Sequence, residues 1–414
     1  MKKKIFLSLV LFLFASNIFA QSGWIRVGSD LPAYSIVSVR FFNSQTGYVA
    51  CDNNGSFKTT NSGLNWISLN CSELSRKTSI AVNQNNVIFV TGRGGYVIGP
   101  NMMVPGGKIA KSTNDGNNWS YQESGDYIDK TMSFISVINN YVIAGGLDLL
   151  VYSSNSGVNW VNVNRPSIQH HRVAKIFSAD SIAVLSNNNF YSTTNRGASW
   201  SSSNLAEYYG EMHFVNFNTG YIAGSNVMKT TNNGTNWQII SSIQNVTDMD
   251  FLNASTGFLA TETGKIYKTI NGGTDFNLQY HDSLVSLYGI DLIDENNIWA
   301  VGGHGVLLRT SNGGVDVNHI SSEIPEQYLL KQNYPNPFNP STRINYELKI
   351  TNYVTLKVFD LLGKEVAQLV NEKQNAGSYA VDFNSSEFSL PSGIYFYTLN
   401  AGEYTETRKM ILVK

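Results

Sequence analysis

The sequence predicts an all-β protein in which a seven-bladed β-propeller is followed by a small Ig-like β-sandwich. An eight-residue phrase, Ser/Thr-x-Asn-x-Gly-x-x-Trp, occurs seven times between Thr59 and Val317, at steps of 37 to 53 residues. A second phrase, Phe41 to Tyr48 in its first copy, recurs at Phe214 and Phe251. From about Glu323 the repeats stop and short alternating strands take over. A period near forty residues is typical of four-stranded propeller blades.

Residues 1–20 have the pattern of a signal peptide. Lys2 to Lys4 carry positive charge, Ile5 to Phe14 are almost all apolar, and Ala20 offers a small residue before the expected cut. The alternative is a membrane anchor, but spanning a bilayer takes about twenty apolar residues and this run is shorter. The sequence therefore predicts an exported chain that begins at Gln21.

Composition narrows the function classes. The chain of 414 residues has a net charge of -1 and only 14% charged residues, so no basic excess favours nucleic acid or an anionic membrane surface. Two cysteines, Cys51 and Cys71, are too few for a metal site. In an exported protein they can form a disulfide or remain two buried thiols, and the sequence leaves both open.

The eight-residue phrase is interpreted as a turn. Asn can hydrogen-bond the backbone two residues on, Gly adopts a positive φ without steric cost, and Trp begins the next strand. We expect the first strand of each repeat to line a central channel and the turns to lie on the outer rim. The predicted propeller covers residues 21–319, and its turn residues are Asn61, Gly63, Trp66, Asn114, Gly116, Trp119, Asn155, Gly157, Trp160, Asn195, Gly197, Trp200, Asn232, Gly234, Trp237, Asn271, Gly273, Asn312 and Gly314.

The two ends of the ring have a candidate closure. Gly23 to Val27 resembles a spare strand of the kind that follows each turn, and the last two copies of the phrase lack Trp. Trp24 is therefore expected to add the outer strand of the seventh blade. The alternative is a loosely attached N-terminal arm.

The 53-residue step indicates an insertion in blade 2, from Gly92 to Gly107. Its apolar tip, Tyr96 to Val104, is unusual for a solvent loop. Long ordered loops and exposed apolar patches often meet partners. The insertion can equally pack locally over its own blade.

The phrase resembles the Asp-box, or BNR repeat, of sialidase-like propellers, with Asn here in place of Asp. The resemblance raises the question of a sialidase site, which implies an arginine triad, a Tyr–Glu pair and an acid Asp. The arginines Arg40, Arg165, Arg172 and Arg309 do not stand in a recognisable triad context. Glycoside hydrolysis needs two carboxylates, and a channel pair from Asp248, Asp250 and Asp291 competes with a reading as strand-end carboxylates.

The sequence offers one candidate binding cluster. His170, His171 and Arg172 precede the first strand of blade 4, and Glu211 stands at the matching point of blade 5. Together they could bind an anion or a polar ligand. Adjacent residues on a strand face opposite ways, which argues against a metal site.

The repeats are also similar to those of photosystem II stability/assembly factors, through phrases such as Asn297-Ile-Trp299-Ala-Val-Gly302. The resemblance covers most of Trp24 to Val317 and implies a non-enzymatic seven-bladed binding ring. It does not imply photosynthesis.

After a predicted linker at 320–330, residues 331–414 resemble the sorting domain of the type IX secretion system. The match includes Tyr334-Pro-Asn-Pro-Phe-Asn-Pro340, Leu356 to Val366, Leu390 to Tyr397 and the terminal Lys409 to Lys414. The resemblance implies recognition by the type IX secretion machinery and export across the outer membrane of a Bacteroidetes-type bacterium. The cargo is then released or anchored at the surface.

We therefore predict an exported binding or scaffold propeller that carries a sorting domain. It binds an unknown protein or glycan, and no metal or organic cofactor is expected. The alternatives are a glycan-active hydrolase of the sialidase or xyloglucanase kind and a structural surface component without a small ligand.

Overall fold

The computed structural model describes residues 23–52, 55–99, 102–122, 130–164, 171–186, 188–315, 317–321, 324–388 and 390–414. The predicted signal peptide lies outside these ranges. A search of the same ranges finds no helix of the length and apolarity that a bilayer crossing requires.

The predicted seven-bladed propeller is confirmed as seven antiparallel sheets of four strands, ordered from the channel outwards. Blades 1 to 3 contain β2 (Ile36–Phe41), β3 (Gly47–Cys51), β4 (Gly55–Thr59), β5 (Ile67–Leu69); β6 (Arg76–Val82), β7 (Ile88–Gly99), β8 (Met102–Ser112), β9 (Ser120–Gln122); β10 (Phe134–Ile138), β11 (Tyr141–Gly146), β12 (Leu149–Ser153) and β13 (Val161–Asn162). Blades 4 to 6 contain β14 (Val173–Ile176), β15 (Ile182–Ser186), β16 (Asn189–Thr193), β17 (Ser201–Asn204); β18 (Tyr209–Phe214), β19 (Gly220–Gly224), β20 (Val227–Thr230), β21 (Gln238–Ser241); β22 (Val246–Phe251), β23 (Gly257–Thr261), β24 (Lys265–Thr269) and β25 (Asn277–His281).

Blade 7 joins the two ends of the ring. It contains β26 (Leu287–Leu292), β27 (Ile298–Gly302), β28 (Leu307–Thr310) and, as its outer strand, the N-terminal β1 (Trp24–Arg26). Trp24 pairs with Thr310, the first residue of the last turn phrase, and its ring meets Phe258 edge-on at 6.3 Å between centroids. The N-terminal strand thus supplies the tryptophan that the seventh copy lacks.

The seven phrases fold into the same turn between the third and the outer strand of each blade. Thr59 Oγ1 donates to Asn61 Oδ1 at 2.9 Å and accepts the N–H of Gly63 at 3.0 Å. Equivalent hydroxyl bonds occur in the other six copies. Every turn glycine has a φ between 72° and 90°, and the residue before it also has a positive φ. Glycine is needed here because side chains are strained in this conformation.

The second phrase forms the turn between the inner strand and the next one. Asn43 Oδ1 accepts the N–H groups of Gln45 and Thr46 at 2.9 and 2.8 Å. Gly47 then lies under the Phe41 ring, where an added Cβ would come within 2.5 Å of it. The phrase therefore fixes a hairpin rather than a ligand site.

The core lies between neighbouring blades. Second strands such as β3 and β27 are buried along their whole length, which explains their unbroken apolar runs. Phe41 of blade 1 stacks on Trp299 of blade 7 at 3.6 Å, and Tyr221 of blade 5 stacks on Phe251 of blade 6 at 3.8 Å. Each blade thus buries its faces against its neighbours.

The insertion in blade 2 is an extension of the hairpin between β7 and β8. The two strands stay paired from Ile88–Ser112 to Gly99–Met102. The backbone of residues 96–99 and 102–104 of the predicted apolar tip belongs to this hairpin, and the side chains of these residues lie outside the described part of the structure.

Cys51 and Cys71 are free buried thiols, so of the two alternatives that the sequence left open the structure has the thiols and not the disulfide. Cys51 packs between blades 7 and 1, and Cys71 packs between blades 1 and 2. They therefore belong to different inter-blade cores. Burial raises the pKa of Cys51 to about 12 and that of Cys71 to about 11.

The C-terminal region is a two-sheet β-sandwich. One sheet has the order β29 (Val317–Ser321), β34 (Gly377–Asn384), β31 (Ser341–Leu348), β30 (Leu329–Leu330). The other has the order β33 (Glu365–Gln374), β32 (Asn352–Phe359), β35 (Gly393–Ala401), β36 (Tyr404–Leu412). The proline-rich segment lies along its edge, where Phe338 donates its N–H to Ile411 O and accepts the N–H of Val413.

The sandwich begins earlier than the sequence indicated. The predicted propeller end at 319 and linker at 320–330 are interrupted by β29, which pairs with β34 from Val317–Val381 to Ser321–Ser378. The reason is that Trp24 fills the outer strand of blade 7, so the chain leaves the ring directly after the last turn. Ser311 Oγ donates to Asn371 O at 2.8 Å, and Asn312 Nδ2 donates to Leu369 O at 2.7 Å, which joins this turn to β33.

Candidate functional site

The inner strands of the blades line a central channel that encloses about 270 Å³. Strand register identifies two equivalent positions in six of the blades. The first position, in blades 1, 2, 4, 5, 6 and 7, holds Arg40, Ala81, Lys175, His213, Asp250 and Asp291. The second, two residues earlier, holds Ser38, Ser79, Val173, Glu211, Asp248 and Gly289.

These positions divide the channel wall into two arcs. Blades 4 to 7 and blade 1 contribute all the charged groups. Blades 2 and 3 contribute uncharged side chains, namely Thr78, Ser79, Ala81, Val82, Ser133, Phe134, Ile135, Ser136 and Val137. One side of the channel wall therefore carries charged groups and the other side is uncharged, although the net charge of the whole chain is close to zero.

Three channel aspartates bond to the blade that follows their own. Asp248 Oδ2 accepts the N–H of Ile290 at 2.8 Å, and Asp250 Oδ2 accepts the N–H of Leu292 at 2.9 Å. Asp291 Oδ2 accepts the N–H of Phe41 at 2.6 Å and thereby joins blade 7 to blade 1. These carboxylates hold blades 6, 7 and 1 together at the channel.

Arg40 is the cation at the centre of this cluster. Its guanidinium donates to Asp291 Oδ1 and lies 4.0 Å from Asp250 Oδ2. Burial lowers the pKa of Arg40, but the carboxylates of Asp291, Asp250 and Asp248 outweigh that and raise it. Arg40 therefore stays charged while it neutralises its neighbours.

The channel shifts the pKa values of its acids and its histidine. Burial raises the pKa of Asp248 to about 7 and that of Asp291 to about 6, although Arg40 opposes both shifts. Burial lowers the pKa of His213 to about 4, although its Nδ1 lies 3.2 Å from Asp250 Oδ1. Burial also lowers the pKa of Lys175, with Arg40 adding to the effect. At neutral pH His213 is therefore uncharged, and Asp248 holds its proton to a higher pH than an ordinary aspartate.

A groove between blades 5 and 6 opens beside the channel at the end where the inner strands begin. Its volume is about 610 Å³, and it shares Glu211, Thr247 and Tyr288 with the channel. Its other lining residues include Tyr208, Asn245 and Glu262. The Arg172 guanidinium lies over the Tyr208 ring at 5.1 Å from the centroid. The groove and the channel form one continuous concave surface.

The structure separates the predicted binding cluster. Arg172 and Glu211 both line the channel, and the Arg172 charge acts on the Glu211 carboxyl. His171 is buried at 2% exposure, and its backbone N–H donates to Gly146 O at 3.3 Å. His170 lies outside the described residues. His171 is therefore a core residue, in contrast to its predicted place in a binding site.

The other candidates are also distributed. Arg309 lies on the third strand of blade 7 over the Trp299 ring, away from Arg40, and Arg165 lies outside the described residues. Within the described ranges, no group of three or more His, Cys, Asp and Glu residues is placed to hold a metal ion. Sequence reasoning missed Lys175, His213 and Tyr208. An alignment of the seven inner strands would have shown the first two at the position of Arg40.

Solved structures share the propeller fold. YCF48 from Cyanidioschyzon merolae is 14% identical with a TM-score of 0.55, and the match covers 70% of this chain and 98% of that one. A structure of YCF48 bound to D1 peptide is 16% identical with a TM-score of 0.56, over 70% of this chain and 96% of that one. The WD40 β-propeller domain of Doa1 is 10% identical with a TM-score of 0.53, over 70% and 95%. A comparison with curated proteins finds no match.

The C-terminal sandwich matches a protein family directly. Residues 332–414 match the family described as Secretion system C-terminal sorting domain. These residues include the proline-rich segment and all the strands from β31 to β36. The predicted relationships are confirmed: the chain joins a propeller of the fold seen in YCF48 to a type IX sorting domain that marks it for secretion.

Proposed function

We propose that the protein is a secreted, non-catalytic binding module whose ligand sits on the channel face of the ring. The observation that carries this proposal is the continuous surface formed by the channel and the groove. Concave sites lined by a few polar groups are where proteins usually bind ligands. The seven turn phrases, in contrast, use their polar groups within the turns.

The channel carboxylates support binding rather than hydrolysis. Asp248, Asp250 and Asp291 each accept a backbone N–H of the next blade, and Arg40 also bonds Asp291. A general acid must be free to move a proton to its substrate. Groups that hold blades together are poorly suited to that task.

One observation favours a glycan hydrolase as the second candidate. Glu211 and Asp248 both line the channel, and burial raises the pKa of both carboxyls. A raised pKa is what a general acid needs, and glycosidases use two carboxylates. This reading would give Glu211 the role of acid.

A paired experiment separates these functions. Purified residues 21–414 are tested for binding on glycan and peptide arrays and for turnover of a panel of chromogenic glycosides. We expect binding that Glu211→Gln weakens, with no turnover above a buffer control. Turnover that both Glu211→Gln and Asp248→Asn abolish would establish the hydrolase instead.

The peptide array is included because a propeller of the same fold has been solved as YCF48 bound to D1 peptide. A peptide ligand for the present chain is our proposal. It is supported by the volume of the groove beside the channel, about 610 Å³, which is more space than a compact ion fills.

We also propose the route of export. Residues 1–20 direct the chain through the inner membrane, and residues 331–414 engage the type IX secretion machinery, which delivers the ring to the cell surface or the medium. Cell fractionation of the full chain and of a chain ending at Ser321 tests this route in a Bacteroidetes-type host. The shorter chain should stay in the periplasm, and its normal appearance outside the cell would contradict the proposal.

A further inference from the structure

The groove between blades 5 and 6 has an acidic and aromatic lining. Glu211 and Glu262 supply two carboxylates and Tyr208 and Tyr288 supply two rings, while none of the described residues that line the groove is Lys or Arg. Tyr208 is 47% exposed. The lining therefore offers negative charge and ring faces together.

Glu211 is free to accept hydrogen bonds from a ligand. Its carboxylate makes no hydrogen bond or ion pair with any other described residue, whereas Asp248 beside it is bonded to the N–H groups of Met249 and Ile290. Glu211 lies where the groove meets the channel, because it lines both. Burial raises the pKa of this carboxyl, and the Arg172 charge acts in the opposite direction, so a second guanidinium beside it would stabilise its ionised form.

The aromatic wall already holds a guanidinium. Arg172 lies with its Cζ 5.1 Å from the Tyr208 ring centroid, which is the distance of a cation–π contact. Arg172 itself lines the channel and is not part of the groove lining. Tyr288 lines both cavities and supplies a second ring beside the carboxylate of Glu211.

The wall of the groove is open at Gly210. The register of β18 shifts between Tyr209 and Glu211, so Gly210 lies in a bulge. A Cβ built on Gly210 would meet nothing closer than 3.8 Å, and its nearest neighbour is the Tyr208 ring. Space beside the ring therefore exists, and a larger side chain at this position would fill it.

We propose that this groove binds an arginine side chain of an extended peptide, with the guanidinium on the Glu211 carboxylate and against the exposed tyrosines. Arginine suits the site better than lysine, because its planar group both stacks on a ring and pairs with a carboxylate. This inference rests on the proposed binding function and names the ligand of that same surface.

The test uses fluorescein-labelled Gly/Ser octapeptides that carry one central arginine, lysine, citrulline or glutamate. In fluorescence-polarisation titrations with residues 21–414, the arginine peptide should bind at least tenfold more tightly than the citrulline peptide. Lysine should fall between them. Equal binding of the arginine and citrulline peptides would overturn the proposal.

Two variants locate the site. Glu211→Gln removes the charge, and Gly210→Leu fills the space next to Tyr208, so each should weaken the arginine peptide at least tenfold. Glu403→Gln makes the same chemical change at an exposed turn of the sandwich and should change nothing. Thermal melts confirm that the variants are folded, and full binding by folded Gly210→Leu would place the ligand elsewhere and overturn the assignment.

The outcomes also separate this inference from the proposed function. A chain that binds a glycan or an uncharged peptide in a manner sensitive to Glu211→Gln, but ignores arginine, refutes only the arginine site. A chain that binds nothing on the arrays or in the titrations refutes both.

Discussion

The turn phrases and the inner strands both recur in every blade. The turn phrases keep the same residues and bonds in each copy, whereas the inner-strand residues differ from blade to blade. The phrases keep the same hydroxyl, Asn and Gly bonds in all seven copies. The matching inner-strand positions hold cations in blades 1 and 4, a histidine in blade 5 and carboxylates in blades 6 and 7. In this protein the repeated turn residues stabilise the fold, and the inner-strand residues that differ between blades are available for ligand binding.

The largest loss of stability should come from Trp24→Ala. Trp24 is buried and closes the ring on Thr310, so its removal leaves a cavity that costs about 3–5 kcal/mol of unfolding free energy. Denaturant unfolding measures the change. Ile25→Ala on the same strand is the control, since Ile25 is 41% exposed. Equal losses for both variants would show that the tryptophan itself contributes nothing special to closure.

Arg40→Gln tests the charged arc as a structural element. It removes the charge that offsets Asp291 and Asp250, and we expect a loss of about 1.5–3 kcal/mol. Protein surrounds Arg40, but its side chain is 45% exposed to the channel, where solvent screens the ion pair. The loss should therefore be smaller than for a fully buried pair. Double variants with Asp291→Asn should lose less than the sum of the single changes.

Thr230→Val tests the turn phrase. It removes the hydroxyl that bonds Asn232 Oδ1 at 3.0 Å and the N–H of Gly234 at 2.9 Å. We expect a loss of about 1–2 kcal/mol in unfolding free energy. The same change at Thr59 should cost a similar amount. A large difference between the two would break the rule that repeated positions are equivalent.

Asp248 should give the protein a pH-dependent stability with a defined sign. Its folded pKa of about 7 lies above the ordinary 3.8, so the folded state binds more protons between these values. Its contribution is fully present below pH 3.8 and is lost as the pH rises towards 7. Melting temperatures of the wild type and Asp248→Asn from pH 4 to 8 should therefore differ in slope, with the steeper decline in the wild type.

The smallest effect on stability is expected for Glu211→Gln. Its carboxylate makes no hydrogen bond or ion pair with the described residues and burial raises its pKa, so removing the charge should leave the unfolding free energy unchanged or raise it slightly. The same variant should lose ligand. A large drop in melting temperature would place Glu211 among the structural groups and remove the contrast between the two regions.

Much of the fold could be predicted from the sequence because the same turn phrases recur at nearly constant spacing. The spacing of the phrases predicted the seven blades. The absence of Trp from the last two phrases predicted that Trp24 adds the outer strand of blade 7. The bonds from Asp291 to Phe41 and from Asp250 to Leu292 could not be predicted, since they join strands that meet only when the ring closes. The place of His171 in the core depends equally on the neighbouring blade, whose Gly146 accepts its N–H.

The strand β29 belongs to two parts of the protein at once: it continues the chain directly from the propeller, the passenger of export, and it forms a strand of the sorting domain, the export tag. It follows the last turn of the ring and forms the outer edge of a sandwich sheet against β34. A protease that cuts between Ser321 and Leu329 would leave β29 attached to the ring and strip the tag of an edge strand. The separated tag would then expose the unpaired backbone of β34, which is open to pairing with another strand.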